Sequence, residues 1–147
     1  MIKKIVFLSE LFAQRVKPLK DMAMISISDE EDVDLPDWGD RILRLRFFDI
    51  DQRHIDDWPN LVKEYVIFTT DHARQILDFL HRVENQVECV VVHCGAGVSR
   101  SAGVAFFIAD KYGIEKFKRA YKNYKIYNKL VYSTLTKVDN EVNGGVL

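Results

Sequence analysis

Only two cysteines, Cys89 and Cys94, occur among the 147 residues. A disulfide-stapled scaffold needs more of them. Both fall in one apolar run, and five residues of extended chain hold them roughly 16 Å apart, beyond a disulfide's reach. Reduced thiols in a cytoplasmic setting are therefore expected. An excess of one charge is also missing, because 21 basic and 22 acidic residues leave a formal net charge of −1. Neither nucleic acid nor an anionic membrane is expected as a partner, although a local basic pocket stays open. No apolar stretch approaches the ~20 residues of a membrane span. The apolar start, Ile2 to Leu8, is stopped by Ser9-Glu10 with no small-residue cleavage site, so it reads as a strand and not as a leader. His54, His72 and His81 lack metal-ligand spacing with a Cys or carboxylate. The stretch 29–40 carries seven acids, but Pro36 stands where a calcium loop wants a ligand and the loop's glycine is absent. It reads as a solvated loop. No metal or cofactor is expected.

What is present is enough apolar residue for a core. Hydrophobic residues make up 48% and aromatics 12% of the chain, which excludes a disordered polymer and suits a single domain over 1–147. Ile2–Leu8, Ala23–Ser28 and Arg41–Phe48 read as strands, the last two by alternation. Asp49–Thr70 is polar and irregular. Ala73, Ile76, Leu77, Leu80 and Val83 follow helical spacing, with Thr70 or Asp71 as cap. Cys89–His93 is a short apolar strand of the kind buried on both faces. Arg100–Tyr112 is a helix apolar nearly all round, ended by Gly113. Ile114–Tyr124 and a helix capped by Asn128 follow, and residues 143–147 should fray. Alternating strands and helices with a helical C-terminus predict an α/β fold, a central, mostly parallel sheet flanked by helices.

The chemistry sits in residues 91–101, Val-Val-His-Cys-Gly-Ala-Gly-Val-Ser-Arg-Ser. A buried strand ends at Cys94, a glycine-bearing loop turns, and a helix begins at Arg100. A helix N-terminus leaves amides unpaired and carries positive dipole character. A tight loop there can turn its amides inward as an anion cradle, so Gly95, Ala96, Gly97, Val98 and Ser99 are the candidate phosphate-binding residues. The glycines allow close backbone approach. Arg100 adds a planar fork that matches two phosphate oxygens. A free thiol ionises near ~8.5, and this setting favours the thiolate of Cys94. A thiolate under a phosphoryl group is placed for in-line attack.

His93-Cys94, five residues, then Arg100-Ser101 resembles the signature loop of protein tyrosine and dual-specificity phosphatases. The element order over about residues 20–142 resembles the compact bacterial and phage-type members of that family. The resemblance implies the phosphotyrosine phosphatase-like fold and a metal-free hydrolysis through a cysteinyl-phosphate intermediate. It implies that Cys94 is the nucleophile and that Arg100 binds phosphate. Ser101 would help the thiolate leave, and His93 would buttress Cys94. The partner would be a phosphorylated protein or peptide. Other readings are a weak phosphate-binding pseudoenzyme, or the same chemistry on RNA 5′-phosphates, inositol phosphates or phosphoinositides.

A leaving oxygen needs a proton. In the family an aspartate on a loop after an upstream strand supplies it, which makes Asp49 the first choice and Asp51 the second, ahead of Asp56 and Asp57. Trp58-Pro59-Asn60 resembles the Trp-Pro-Asp loop of larger members, but asparagine cannot act as a carboxylic acid.

Overall fold

A computed structural model describes residues 1–144, with side chains through Asn143. Four strands form one parallel sheet: β1 (Lys4–Ser9), β2 (Met22–Ser28), β3 (Ile42–Arg46) and β4 (Cys89–Cys94), in spatial order β1-β4-β2-β3. Among the described residues the helices are α1 (Glu10–Ala13), α2 (Gln52–Asp57), α3 (Leu61–Glu64), α4 (Thr70–Val83), α5 (Arg100–Tyr112), α6 (Glu115–Ala120) and α7 (Lys129–Gly144). The expected α/β class, parallel sheet and helical C-terminus are all present. Fraying was expected over 143–147. Of these, Asn143 and Gly144 are the last residues of α7, with Asn143 Nδ2 donating to Asp139 Oδ1 at 2.7 Å. Gly145–Leu147 lie outside the described residues.

The alternation in the strands sets the layers. Ile5, Ala23, Ile25, Ile27, Leu45, Val90 and Val92 face a helical layer built from α4, α5 and α7. Buried Val104, Ile108, Ile76, Leu80, Leu135 and Val138 fill that side. Each such side chain contributes about 1.5–3 kcal/mol by leaving water. The other face carries Met24 and Val91 under α1, Trp38 and Leu35. The 29–40 segment is therefore more than the solvated loop expected. Its Trp38 is 2% exposed and roofs the sheet. Arg44 donates to Val33 O at 2.9 Å and Arg46 to Asp32 at 3.1 Å, strapping the segment to β3.

Three short helices were not expected. α1 and α3 have four residues each, too few for periodicity to register. α2 begins in the polar 49–70 stretch with a cap built from Asp51 and His54, not the usual Glu or Gln. α4 starts one residue earlier than expected, at an N-cap of Thr69 whose amide donates to His72 Nδ1 at 3.0 Å. α6 stops at Ala120, because Tyr121 and Tyr124 turn inward against Phe7, with ring centroids 5.1 and 5.6 Å away.

Candidate active site

The strand order decides where the chemistry is. β4 lies between β1 and β2, at the point where the connections diverge, and ligands in such sheets bind beyond the carboxyl ends of the strands there. Cys94 is the last residue of β4 and is 2% exposed. Its Sγ lies 3.1 Å from Ser101 Oγ, on the first turn of α5. Arg100 opens the same helix. The loop between them hangs from its carbonyls. Gly95 O accepts from Glu10 N at 3.1 Å, Val98 O from the Tyr124 hydroxyl, and Ser99 O from Gly103 N at 2.9 Å and Asn128 N at 3.0 Å. The amides of Gly95 through Ser99 donate to no acceptor among the described residues.

Gly97 has φ +73°, and a Cβ there would collide with the backbone of Leu8 and Ser9. Only glycine fits both demands. Gly103 has a packing reason as well, since a Cβ would lie 2.6 Å from Asn128 O.

Arg100 is 7% exposed. Its Nη1 donates to Asp29 Oδ1 at 2.6 Å and to Phe47 O at 2.8 Å. Nη2 lies 3.4 Å from where a Cβ on Gly95 would be. The guanidinium thus reaches back over the start of the loop, with one nitrogen held and the rest of its fork available. Asp29 was not among the expected site residues. It follows β2 directly in an acidic run, so charge composition hid it.

His93 points to the opposite face from Cys94, because strand residues alternate. It pairs in register with Ser26. Its Nδ1 lies 3.4 Å from Cys94 O and its Nε2 2.6 Å from Ser26 Oγ. A carbonyl only accepts, so Nδ1 carries the proton and Nε2 accepts from the serine hydroxyl. Burial lowers the His93 pKa most. Arg44 and Arg100 push the same way, while the Cys94 carbonyl and Glu10 oppose. The ring is neutral.

Asp49 and Asp51, the first and second choices from the sequence, differ in place. Asp49 Oδ1 accepts from Ser99 Oγ at 2.8 Å and from Asn128 Nδ2 at 2.9 Å, so this carboxylate is tied to the loop. Asp51 Oδ1 accepts from Gln52 N at 2.8 Å and Leu130 N at 2.9 Å, and its Oδ2 from Lys129 N at 3.3 Å. It joins the N-termini of α2 and α7. Asp56 is bound by Gln52 at 3.0 Å on exposed α2, and Asn60 caps α3. Asn128, expected only as a cap, does more. Its Oδ1 accepts from Val131 N at 3.0 Å, and its Nδ2 also reaches Ile50 O at 3.2 Å. One buried side chain thereby joins α7 to the Asp49 segment.

Beside Arg100 and Asp49 opens a groove of about 440 Å³ lined by Phe48, Trp58, Leu61 and Tyr65. The Phe48 and Tyr65 rings meet edge to face, 5.0 Å apart.

A parallel α/β domain that offers a buried cysteine beneath a loop of free amides, with an arginine reaching over it, belongs among enzymes acting on oxyanions. A family model for protein-tyrosine phosphatases matches residues 22–137, from the start of β2 far into α7. The chain belongs to the protein-tyrosine phosphatase family, and it is a phosphatase, a hydrolase. No curated protein sequence matches it. β1 and α1 precede the matched range, yet they supply the Glu10 amide and the backbone wall behind Gly97. Among the described residues no helix is long and apolar enough to cross a membrane.

Proposed function

We propose that the protein hydrolyses phosphotyrosine in a peptide or protein through a phosphorylated Cys94. The Cys94 thiolate attacks phosphorus as the bond to the phenolic oxygen breaks. Asp49 gives that oxygen its proton. Asp49 Oδ1 already accepts two hydrogen bonds, which leaves Oδ2 to carry the transferable proton. The loop amides and Arg100 meet the charge on the three non-bridging oxygens, so the scheme uses no metal. In the second half, the Asp49 carboxylate takes a proton from water as it attacks phosphorus. The sulfur–phosphorus bond breaks, and inorganic phosphate leaves. The Ser101 hydroxyl, 3.1 Å from Sγ, donates to the departing thiolate. His93 is a positioning residue, holding the Cys94 carbonyl through the pair with Ser26.

The observation that carries this reading is the conjunction of Cys94 beneath unpaired amides and Asp49 hydrogen-bonded to the same loop. The aromatic groove supports an aryl over an alkyl phosphate, because a tyrosine ring gains packing and a phenolate leaves more readily. The test is turnover of p-nitrophenyl phosphate and a phosphotyrosine peptide in EDTA. The wild type is expected to hydrolyse both and Cys94→Ser neither. Turnover that survives Cys94→Ser ends the proposal.

A further inference from the structure

Among the described residues β1 borders the sheet, with β4 on one side and no strand on the other. An edge strand leaves a row of backbone N–H and C=O groups open on its free side. No backbone hydrogen bond outside the sheet uses residues 5–8. The opposite edge is covered in part. There Arg46 O accepts from His72 at 3.2 Å, and just beyond β3 Phe48 N donates to Val66 O at 2.8 Å. Alongside β1 runs a groove of about 250 Å³ shared with α6. Ile5, Phe117 and Tyr121 form its inner wall, and exposed Lys3, Lys4 and Lys116 form its rim. We infer that an extended, acidic segment of a partner protein adds to the free side of β1 as a further strand, with its carboxylates at these lysines and an apolar side chain in the groove.

Charge chooses the partner. No carboxylate lines the groove. Lys4 and Lys116 form no ion pair with a described residue. Lys3 meets only Glu88, at 3.5 Å, with side chains 72% and 59% exposed, and a pair that open contributes little. Lysines at an edge also discourage pairing between like edges. A second copy of β1 brings its own lysines to the same place, whereas Asp and Glu gain there.

Size and position choose the mode. The groove is smaller than the ~300–1,000 Å³ usual for a small-molecule site, and it suits the side chains of a strand. Strand addition draws affinity from backbone pairing and specificity from pockets for alternate side chains. Lys4 pairs in register with Cys89 and Ser9 with Cys94. Lys4 therefore lies roughly 16 Å from the Cys94 end of the sheet, and a filled groove leaves the active site accessible. β1 also precedes the residues 22–137 that the family model matches, so the docking strand is no part of the shared domain. The inference stands apart from the phosphotyrosine reading.

The probe is a fluorescein-labelled peptide of alternating Glu and Val, about ten residues long, whose binding to the full chain is followed by anisotropy at about 0.05 M salt. One control replaces each Glu by Gln. A second is N-methylated at every amide, which blocks strand pairing and keeps the charge. The wild type is expected to bind the probe about ten-fold more tightly than the Gln control, as a few exposed ion pairs would give, and at least about ten-fold more tightly than the methylated one. At about 1 M salt, where screening acts within about 3 Å, the Glu and Gln peptides should come within about two-fold. The double variant Lys4→Gln, Lys116→Gln is expected to weaken the probe about ten-fold and to leave turnover of p-nitrophenyl phosphate unchanged. A circular-dichroism melt checks that the variant is folded, and the methylated control needs no variant. Equal binding of the probe and either control, an affinity that survives the double variant, or no binding at about 1 mM overturns the inference. So does a dimer in sedimentation that the probe does not dissociate, which gives the edge to a second copy. Capture by phosphatidylserine vesicles that the double variant loses, without probe binding, gives the lysines to a membrane and overturns it as well.

Discussion

Asp49 carries both of its hydrogen bonds on one oxygen, and the asymmetry makes a kinetic prediction. Asp49→Asn keeps the shape and the acceptor but removes the transferable proton. On a phosphotyrosine peptide kcat is expected to fall 10²- to 10³-fold, roughly the contribution of general acid catalysis. On p-nitrophenyl phosphate, whose leaving group needs no proton, the loss in the first step should be much smaller. Equal losses on both would remove Asp49 from the role of acid. Asp29 invites a second prediction at the same scale. It holds one nitrogen of Arg100 and so pre-sets a long side chain that would otherwise lose rotamer freedom when phosphate arrives. Asp29→Ala is expected to raise KM about two- to ten-fold, the cost of immobilising one such side chain, with kcat within about two-fold. Steady-state kinetics on a phosphotyrosine peptide reads both. A KM that falls would mean that Asp29 competes with the substrate instead of preparing the site.

Among the elements, Asp51 is the clearest case of a residue serving two helices at once. Its two oxygens satisfy amides that open α2 and α7, and an N-cap is worth roughly 1 kcal/mol. Asp51→Ala is expected to lower unfolding stability by about 2 kcal/mol, read as a shift of the urea midpoint. The kcat of the folded fraction should change far less than in Asp49→Asn. A variant of full stability and no activity would return Asp51 to the chemistry. The same element scale explains what the sequence concealed. α1 and α3 are one turn long. The α2 cap uses His54 where a template looks for Glu or Gln. Asn128 reads as a cap because capping is a local event. Its reach to Asp49 and Ile50 crosses nearly eighty residues and leaves no periodic trace.

The whole molecule responds to pH through two histidines, the buried His93 and the half-buried His72. Burial lowers the pKa of His93 and of His72. For His72, Nδ1 accepts from the Thr69 amide, and Nε2, 3.2 Å from Arg46 O, donates to it; burial outweighs the Arg46 carbonyl and Asp71, which favour the charged ring. A histidine with a folded pKa below its unfolded value near ~6.5 binds more protons when unfolded. Stability is then fully present above that value and is lost as pH falls below it. The urea midpoint is expected to drop between pH 7 and pH 5, and His93→Gln should flatten part of the slope. An unchanged slope would show that His93 titrates alike in both states.

The sequence alone determined the class of fold and picked out the loop proposed to react, because both are written in neighbouring residues. Alternation in AMISIS and LRLRFF marks strands, and a buried run ending His93-Cys94 before a glycine loop and Arg100 places a thiol at a helix start. The sequence put Asp49 ahead of Asp51 because a strand runs into it, but only the tertiary structure showed their separate hydrogen-bond partners. The two are two positions apart, and their difference lies in which distant donors reach each carboxylate. It likewise made Asp29 the partner of Arg100, turned the acidic 29–40 segment into a roof carrying Trp38, and gathered Lys3, Lys4 and Lys116 into one groove. Hydrogen bonds and fields act through space, and the order of residues along a chain does not record which of them folding brings face to face.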